Sequence, residues 1–114
     1  MDHNQRYWNH TAQEKDIIRH RGGTPLKQYG YDGVIHGKPV EVRSIMDPQE
    51  NRYRIMKSTH QTLVRKKGYY IFVFQGRGIK VSAKRVSQIL RKKGRKWYKD
   101  RDYPHTFIYL RDVF

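Results

Sequence analysis

Apolar positions cluster in two dense runs, Tyr69-Tyr70-Ile71-Phe72-Val73-Phe74 and Thr106-Phe107-Ile108-Tyr109-Leu110. The first is apolar at every position, which predicts a central strand buried on both faces. The second predicts a final strand over 105–110. Between them, Ile79 to Val81 predicts a short strand after a turn at Gln75-Gly76-Arg77-Gly78. Ser82 then predicts the cap of a helix that carries Val86, Ile89 and Leu90 and stops at Gly94. Trp97-Tyr98 falls in an irregular basic loop.

The first half reads as a helix, a hairpin and a second helix. Thr11-Ala12-Gln13-Glu14 has capping-box form, which predicts a helix from Thr11 through Ile17 and Ile18 to Gly22-Gly23. A turn at Thr24-Pro25 follows. Tyr29 to Val34 and Lys38 to Ser44 predict antiparallel strands joined at His36-Gly37, where both residues must take positive φ. Pairing Ile35 with Lys38 sets Gly33 opposite Val40 and Asp32 opposite Glu41. Tyr31, Ile35, Val40 and Val42 then face the core, and Asp32, Glu41 and Arg43 share the other face. Asp47-Pro48-Gln49-Glu50 predicts a helix start. That helix runs through Tyr53, Met56, His60, Leu63 and Val64, with Gly68 at C′ after Arg65-Lys66-Lys67. The order is α-β-β-α-β-β-α-β, an α/β fold with a mixed sheet flanked by helices, in one domain over 1–114.

Charge narrows the partner. The chain of 114 residues carries 25 Lys and Arg against 10 Asp and Glu, a formal net charge of +15. Between Glu50 and Asp100 there is no acid, while Lys and Arg number sixteen. These bases are interleaved with core-forming elements, so they decorate a folded surface and point to nucleic acid. Arg65, Lys66 and Lys67 form one candidate contact group. Arg91, Lys92, Lys93, Arg95, Lys96 and Lys99 form a second, where either Trp97 or Tyr98 stacks on an unpaired base or Trp97 folds back on the core. No apolar stretch is long enough to cross a membrane, and no basic head with an apolar run opens the chain. The absence of cysteine excludes disulfides and a Cys nucleophile and fits a reduced, cytoplasmic setting. The histidines lack metal-ligand spacing, which argues against zinc.

Asp32 and Glu41, directly opposite each other on a hairpin, should repel. Two readings relieve that. Arg43 and nearby lysines neutralise the pair, or an oxygen-seeking cation such as Mg²⁺ sits between them.

The spacing of Glu14, Asp32 and Glu41-Val42-Arg43, with the helix and aromatic strand that follow, resembles the PD-(D/E)xK nuclease superfamily. It looks most like small archaeal Holliday-junction resolvases. The resemblance covers roughly residues 10–90. It implies a restriction-endonuclease-like core and a catalytic group of Glu14, Asp32, Glu41, Arg43 and Lys57. It also implies Mg²⁺ or Mn²⁺ held by Asp32, Glu41 and the Val42 carbonyl, which activates water and offsets charge on the phosphate. Arg43 departs from the pattern, because the family usually has Lys there. Lys57 is the amine that would replace it.

The resulting expectation is a Mg²⁺-dependent DNA endonuclease acting as a homodimer, on branched or otherwise structured DNA. Its rivals are a decayed nuclease fold that binds without cutting, and a small metal-independent basic RNase or toxin.

Overall fold

The computed structural model describes residues 3–26, 30–45, 49–100 and 103–114. In chain order the elements are α1 (His3–His20), β1 (Thr24–Pro25), β2 (Gly33–Ile35), β3 (Lys38–Ile45), β4 (Arg52–Met56), α2 (Lys57–Arg65), β5 (Tyr69–Phe74), β6 (Arg77–Ser82), α3 (Ala83–Lys92), β7 (Tyr98–Asp100), β8 (Tyr103–Tyr109) and α4 (Leu110–Val113). A mixed sheet of five strands runs β1-β2-β3-β5-β6, and a sheet of three runs β4-β8-β7. The mixed sheet flanked by helices is the expected restriction-endonuclease-like arrangement.

The core strands follow from their residues. β5 is buried from Tyr69 to Val73 because its neighbours cover both faces. It pairs parallel with β3, which requires a long crossover, and β4 with α2 supplies it. The β2–β3 hairpin has the expected register, with Gly33 opposite Val40 and Ile35 opposite Lys38. Its turn takes φ 51° at His36 and 79° at Gly37. α1 covers one face of the mixed sheet, packing Ile18 with Ile35, Val40, Val42 and Ile71. On the opposite face Tyr70 and Phe72 meet Leu63, Val86, Ile89, Tyr53, Ile55 and Ile108. Each such fully buried side chain contributes roughly 1.5–3 kcal/mol, which a chain this highly charged needs to hold together.

Several local expectations are corrected. α1 begins at His3 rather than Thr11. Residues 3–10 hold no Gly or Pro to stop it, so Glu14 lies mid-helix and is not a capping residue. The helix expected from Asp47 to Val64 is a strand followed by a helix. Arg52 and Arg54 are exposed while Tyr53 and Ile55 are buried, a period of two. The Tyr53–Met56 spacing imitated a helical stripe, and Asp47 and Pro48 lie outside the described residues. At the end of α2, Lys67 rather than Gly68 takes the left-handed position, with φ 57°. The Gly68 N–H then bonds the Leu63 carbonyl at 2.7 Å. Gly68 is instead required by a close approach, since a Cβ there would collide with the Pro39 carbonyl. Gln75 and Gly76 form a two-residue turn, so β6 already starts at Arg77. Tyr98 opens β7 rather than lying in a loop, because β8 offers it a ladder. Tyr31 packs with the Tyr70–Phe72 cluster, not with Val40 and Val42. The β2 ladder starts only at Gly33, so its alternation does not extend back to Tyr31. The expected order therefore lacked β1, β4, β7 and α4. The Ser82 cap is as expected, its Oγ accepting from the Arg85 N–H at 3.0 Å.

Candidate active site

The hairpin brings Asp32 and Glu41 together. The Asp32 N–H donates to the Val40 carbonyl at 2.9 Å, and the Asp32 carbonyl accepts from Leu26 at 2.8 Å. The Val42 N–H donates to Asp32 Oδ2 at 2.8 Å. Asp32 is thus fixed at both backbone and side chain, and its carboxylate is held by the strand that bears Glu41. Parallel pairing with β5 puts Glu41 level with Tyr70, under the cover of the core, and only 6% of its surface is exposed. Arg43, two residues on and on the same face, donates from Nη2 to Glu41 Oε2 at 3.1 Å. Its Nε is buried without a hydrogen-bond partner among the described residues, so the guanidinium keeps donor capacity for an anion.

The electrostatics are those of acids crowded into a partly dry space. Burial pushes Glu41 up to about 9, and contact with Asp32 and the field of Glu14 add to this, while Arg43 opposes it. Burial likewise pushes Glu14 up to about 8, with Asp32 adding and Arg43 opposing. α1 therefore delivers Glu14 into the field of the hairpin acids. Fully ionised, the three carboxylates would outnumber Arg43, the cation set against them among the described residues. A divalent cation would offset that excess. The donor set fits one, since Mg²⁺ takes oxygen ligands and needs only one or two protein carboxylates. Among the described residues, no three acidic or histidine side chains converge as a ligand cluster. Asp32 and Glu41 are the pair that meet, and Glu14 acts on them through its field.

The profile of the PD-(D/E)XK nuclease superfamily domain matches residues 2–107. The chain belongs to this superfamily. None of the curated proteins compared with it matches. As a nuclease domain it binds nucleic acid, and no helix among its described residues is long and apolar enough to cross a membrane.

The other candidate residues of this nuclease are dispersed. Lys57 opens α2 and lines a cavity of about 320 Å³ with His60, Arg65, Ser87 and Trp97. Arg65, Lys66 and Lys67 are exposed at the end of α2, with Lys66 Nζ 5.6 Å from the Tyr31 ring centre. Arg91, Lys92, Lys96 and Lys99 are exposed. Lys93 and Arg95 are engaged by the buried Asp112 at 3.9 and 3.2 Å. Trp97 packs against the core, its ring centre 5.9 Å from that of His60.

Three further groups adjoin the site, one of them His60, which the sequence places on the apolar stripe of its helix as a satisfied core histidine rather than a general base. Tyr70 is buried beside Glu41, which helps burial raise its pKa. Its hydroxyl lies 2.9 Å from His60 Nδ1, and His60 Nε2 lies 2.7 Å from Ser87 Oγ. Burial lowers His60 to about 4, so the ring is neutral near pH 7 and carries one N–H. His60 is thus the hydrogen-bonded core histidine. The third group is the pair Arg52 and Arg54, whose guanidiniums approach the Phe107 ring at 3.9 and 6.0 Å. The alternation of Arg with Tyr and Ile over 52–55 was the sequence signal for it.

Proposed function

We propose that this nuclease is a Mg²⁺-dependent DNA endonuclease whose site is Asp32, Glu41 and Arg43, assisted by Glu14, all within one domain. The observation that carries the reading is the Asp32–Val42 hydrogen bond beside the Glu41–Arg43 pair. It supports a role for Asp32, Glu41 and the Val42 carbonyl in holding the cation. When bound, the cation supplies charge neutralisation and water activation at the scissile phosphate. Asp32 and Glu41 orient the site, and Glu14 adds negative field that favours cation entry. Arg43 turns its remaining donors to phosphate oxygens, which a guanidinium fits better than an ammonium. Arg43 is a poor proton acceptor at neutral pH, so its part is electrostatic. Lys57 opens α2 and lines a cavity that includes none of Glu14, Asp32 and Glu41, so the reading does not use it.

The test is cleavage of linear, supercoiled and branched DNA by wild type and Asp32→Ala, with Mg²⁺ or with EDTA. Cutting that needs both Mg²⁺ and Asp32 supports the reading. Cutting of RNA in EDTA supports a metal-independent RNase instead. A binding protein without cleavage is favoured by one observation, the engagement of Arg43 with Glu41 at 3.1 Å, and is read out as DNA binding with no product. A two-fold dimer completes the proposal, through the edge strand β6, which ends the mixed sheet and is exposed along much of its length. A monomer mass by light scattering on DNA would remove that part.

A further inference from the structure

Two clefts open on the sheet of β4, β8 and β7, and they share Arg52 and Phe107. The first, about 570 Å³, runs from Arg43 and Ser44 past Asn51 to Arg52, Arg54 and Phe107. The second, about 220 Å³, continues from Arg52 and Phe107 to Tyr109, Tyr98 and Arg95. Strand register explains the continuity. Arg52 is opposite Tyr109 and Arg54 opposite Phe107, while Tyr98 is opposite His105. The alternate residues Tyr53, Ile55 and Ile108 are buried, so these side chains share the outer face. Guanidiniums and rings alternate along it. Arg52 lies 3.9 Å over Phe107, and Arg95 lies 4.3 Å over Tyr109. At one end stands Arg43, which contacts Glu41.

The chemistry of this trough selects its occupant. Arg43, Arg52, Arg54 and Arg95 outweigh Glu50, the acid that lines the first cleft, and Asp112 beside Arg95 is already taken up by Arg95 and by the start of α4. That favours a polyanion. The rings favour one whose bases are uncovered, because a duplex hides its base faces and an unpaired strand presents them together with its phosphates. Tyr98 and Tyr103 are 56% and 68% exposed, large rings left in water at the far end of the same face. We infer that this outer face binds a single-stranded segment of DNA and leads it from Tyr98 past Phe107 to Arg43 and Glu41. The inference rests on the nuclease reading and refines it. The strand reaches the acids already unpaired, so the substrate class is single-stranded or flapped DNA rather than intact duplex.

Fluorescence anisotropy with the full chain in EDTA tests this without cleavage. The probes are a labelled oligothymidine of about 12 nucleotides and a blunt duplex of equal length. We expect the oligothymidine to bind at least about tenfold more tightly than the duplex. Tyr98→Ala should weaken it by roughly five- to tenfold, leave duplex binding within about twofold, and keep the melting temperature. Tyr98→Phe should restore binding, because the ring face is what stacks. Arg52→Ala should also lower the salt slope by about one. Equal affinity for both probes with a neutral Tyr98→Ala overturns the inference, even if the enzyme cuts duplex with Mg²⁺. Preference for oligouridine over oligothymidine overturns it as well. Selective oligothymidine binding lost in Tyr98→Ala, with no cleavage under any metal, upholds the trough and defeats the nuclease reading.

Discussion

The Val42 N–H donates to Asp32 Oδ2 at 2.8 Å, so the backbone beside one acid of the site fixes the other. The contact ties the position of Asp32 to the β2–β3 register. A slip by one residue would turn Glu41 and Arg43 to the α1 side and replace them with valines. It also explains why the pair is tolerated in a hairpin. Asp32 receives a backbone donor and Glu41 receives Arg43, so each acid has a compensating partner before any cation arrives.

Asp32→Ala should abolish Mg²⁺-dependent cleavage and leave DNA binding equal or tighter, because a negative charge beside the phosphates is removed. Cleavage and anisotropy assays on the same preparation check this. Loss of binding together with cleavage would assign Asp32 a structural role. The variant should also lose any rise in melting temperature that Mg²⁺ gives the wild type.

The acid pair was legible in the sequence because hairpin register is a parity rule. Once His36-Gly37 is the turn, the register sets Gly33 opposite Val40 and brings Asp32, one residue beyond the ladder, up to the strand that bears Glu41. The buried strand Tyr69–Phe74 was legible for a similar reason, since nothing but a covered strand tolerates apolar side chains on both faces. The sheet of β4, β8 and β7 was not, because its pairing is entirely non-local. Arg52 to Met56 finds its ladder on β8, about fifty residues away. Tyr98 to Asp100 becomes a strand only because Tyr103 to His105 folds back on it. Glu14 was placed in the site by resemblance, and its capping alternative vanished once residues 3–10 extended α1.

Salt should weaken DNA binding steeply. If about six of the bases between Arg52 and Lys99 contact phosphates, log affinity against log salt should fall with a slope near −5. Titration of wild type from low to moderate salt measures it. A slope near zero would reject a phosphate-dominated interface.

His60 should make stability depend on pH. Its folded value is lowered to about 4 from an ordinary 6.5, so the unfolded chain takes up the proton first as pH falls. The stability that the neutral ring contributes is complete above about 6.5 and is lost as pH drops toward 4. Glu14 and Glu41, whose values are raised, act in the opposite direction: their burial costs most at high pH and relaxes on acidification. Comparison with His60→Gln removes that common background. The gap in melting temperature between wild type and His60→Gln should be widest at pH 7 to 8 and should narrow toward pH 4.5. A gap independent of pH would mean that the ring is not held neutral by Tyr70, Ser87 and the surrounding core.

Arg43 offers the sharpest test of whether this is a working nuclease. It shares a face with Glu41, contacts it at 3.1 Å, and keeps a buried Nε that has no partner among the described residues. As a donor to charge developing on the phosphate, it belongs to a class of interaction whose loss typically costs 10²-fold or more. Arg43→Ala should therefore slow cleavage by roughly 10²-fold. It should also cost stability, because Glu41 loses the Arg43 charge that opposes its upward pKa shift. Arg43→Lys restores the residue usual in the superfamily motif and should keep or raise activity, since an ammonium can still neutralise Glu41 while reaching a phosphate or water. The two contributions separate on measurement of rate per folded molecule alongside melting temperature. A strut that only neutralises Glu41 would lower the melting temperature in Arg43→Ala, recover it in Arg43→Lys, and leave the rate per folded molecule unchanged in both. A site that has lost catalysis would leave wild type and Arg43→Ala equally inert. An Arg43→Ala protein that folds and cleaves at the wild-type rate would remove the residue from the catalytic group.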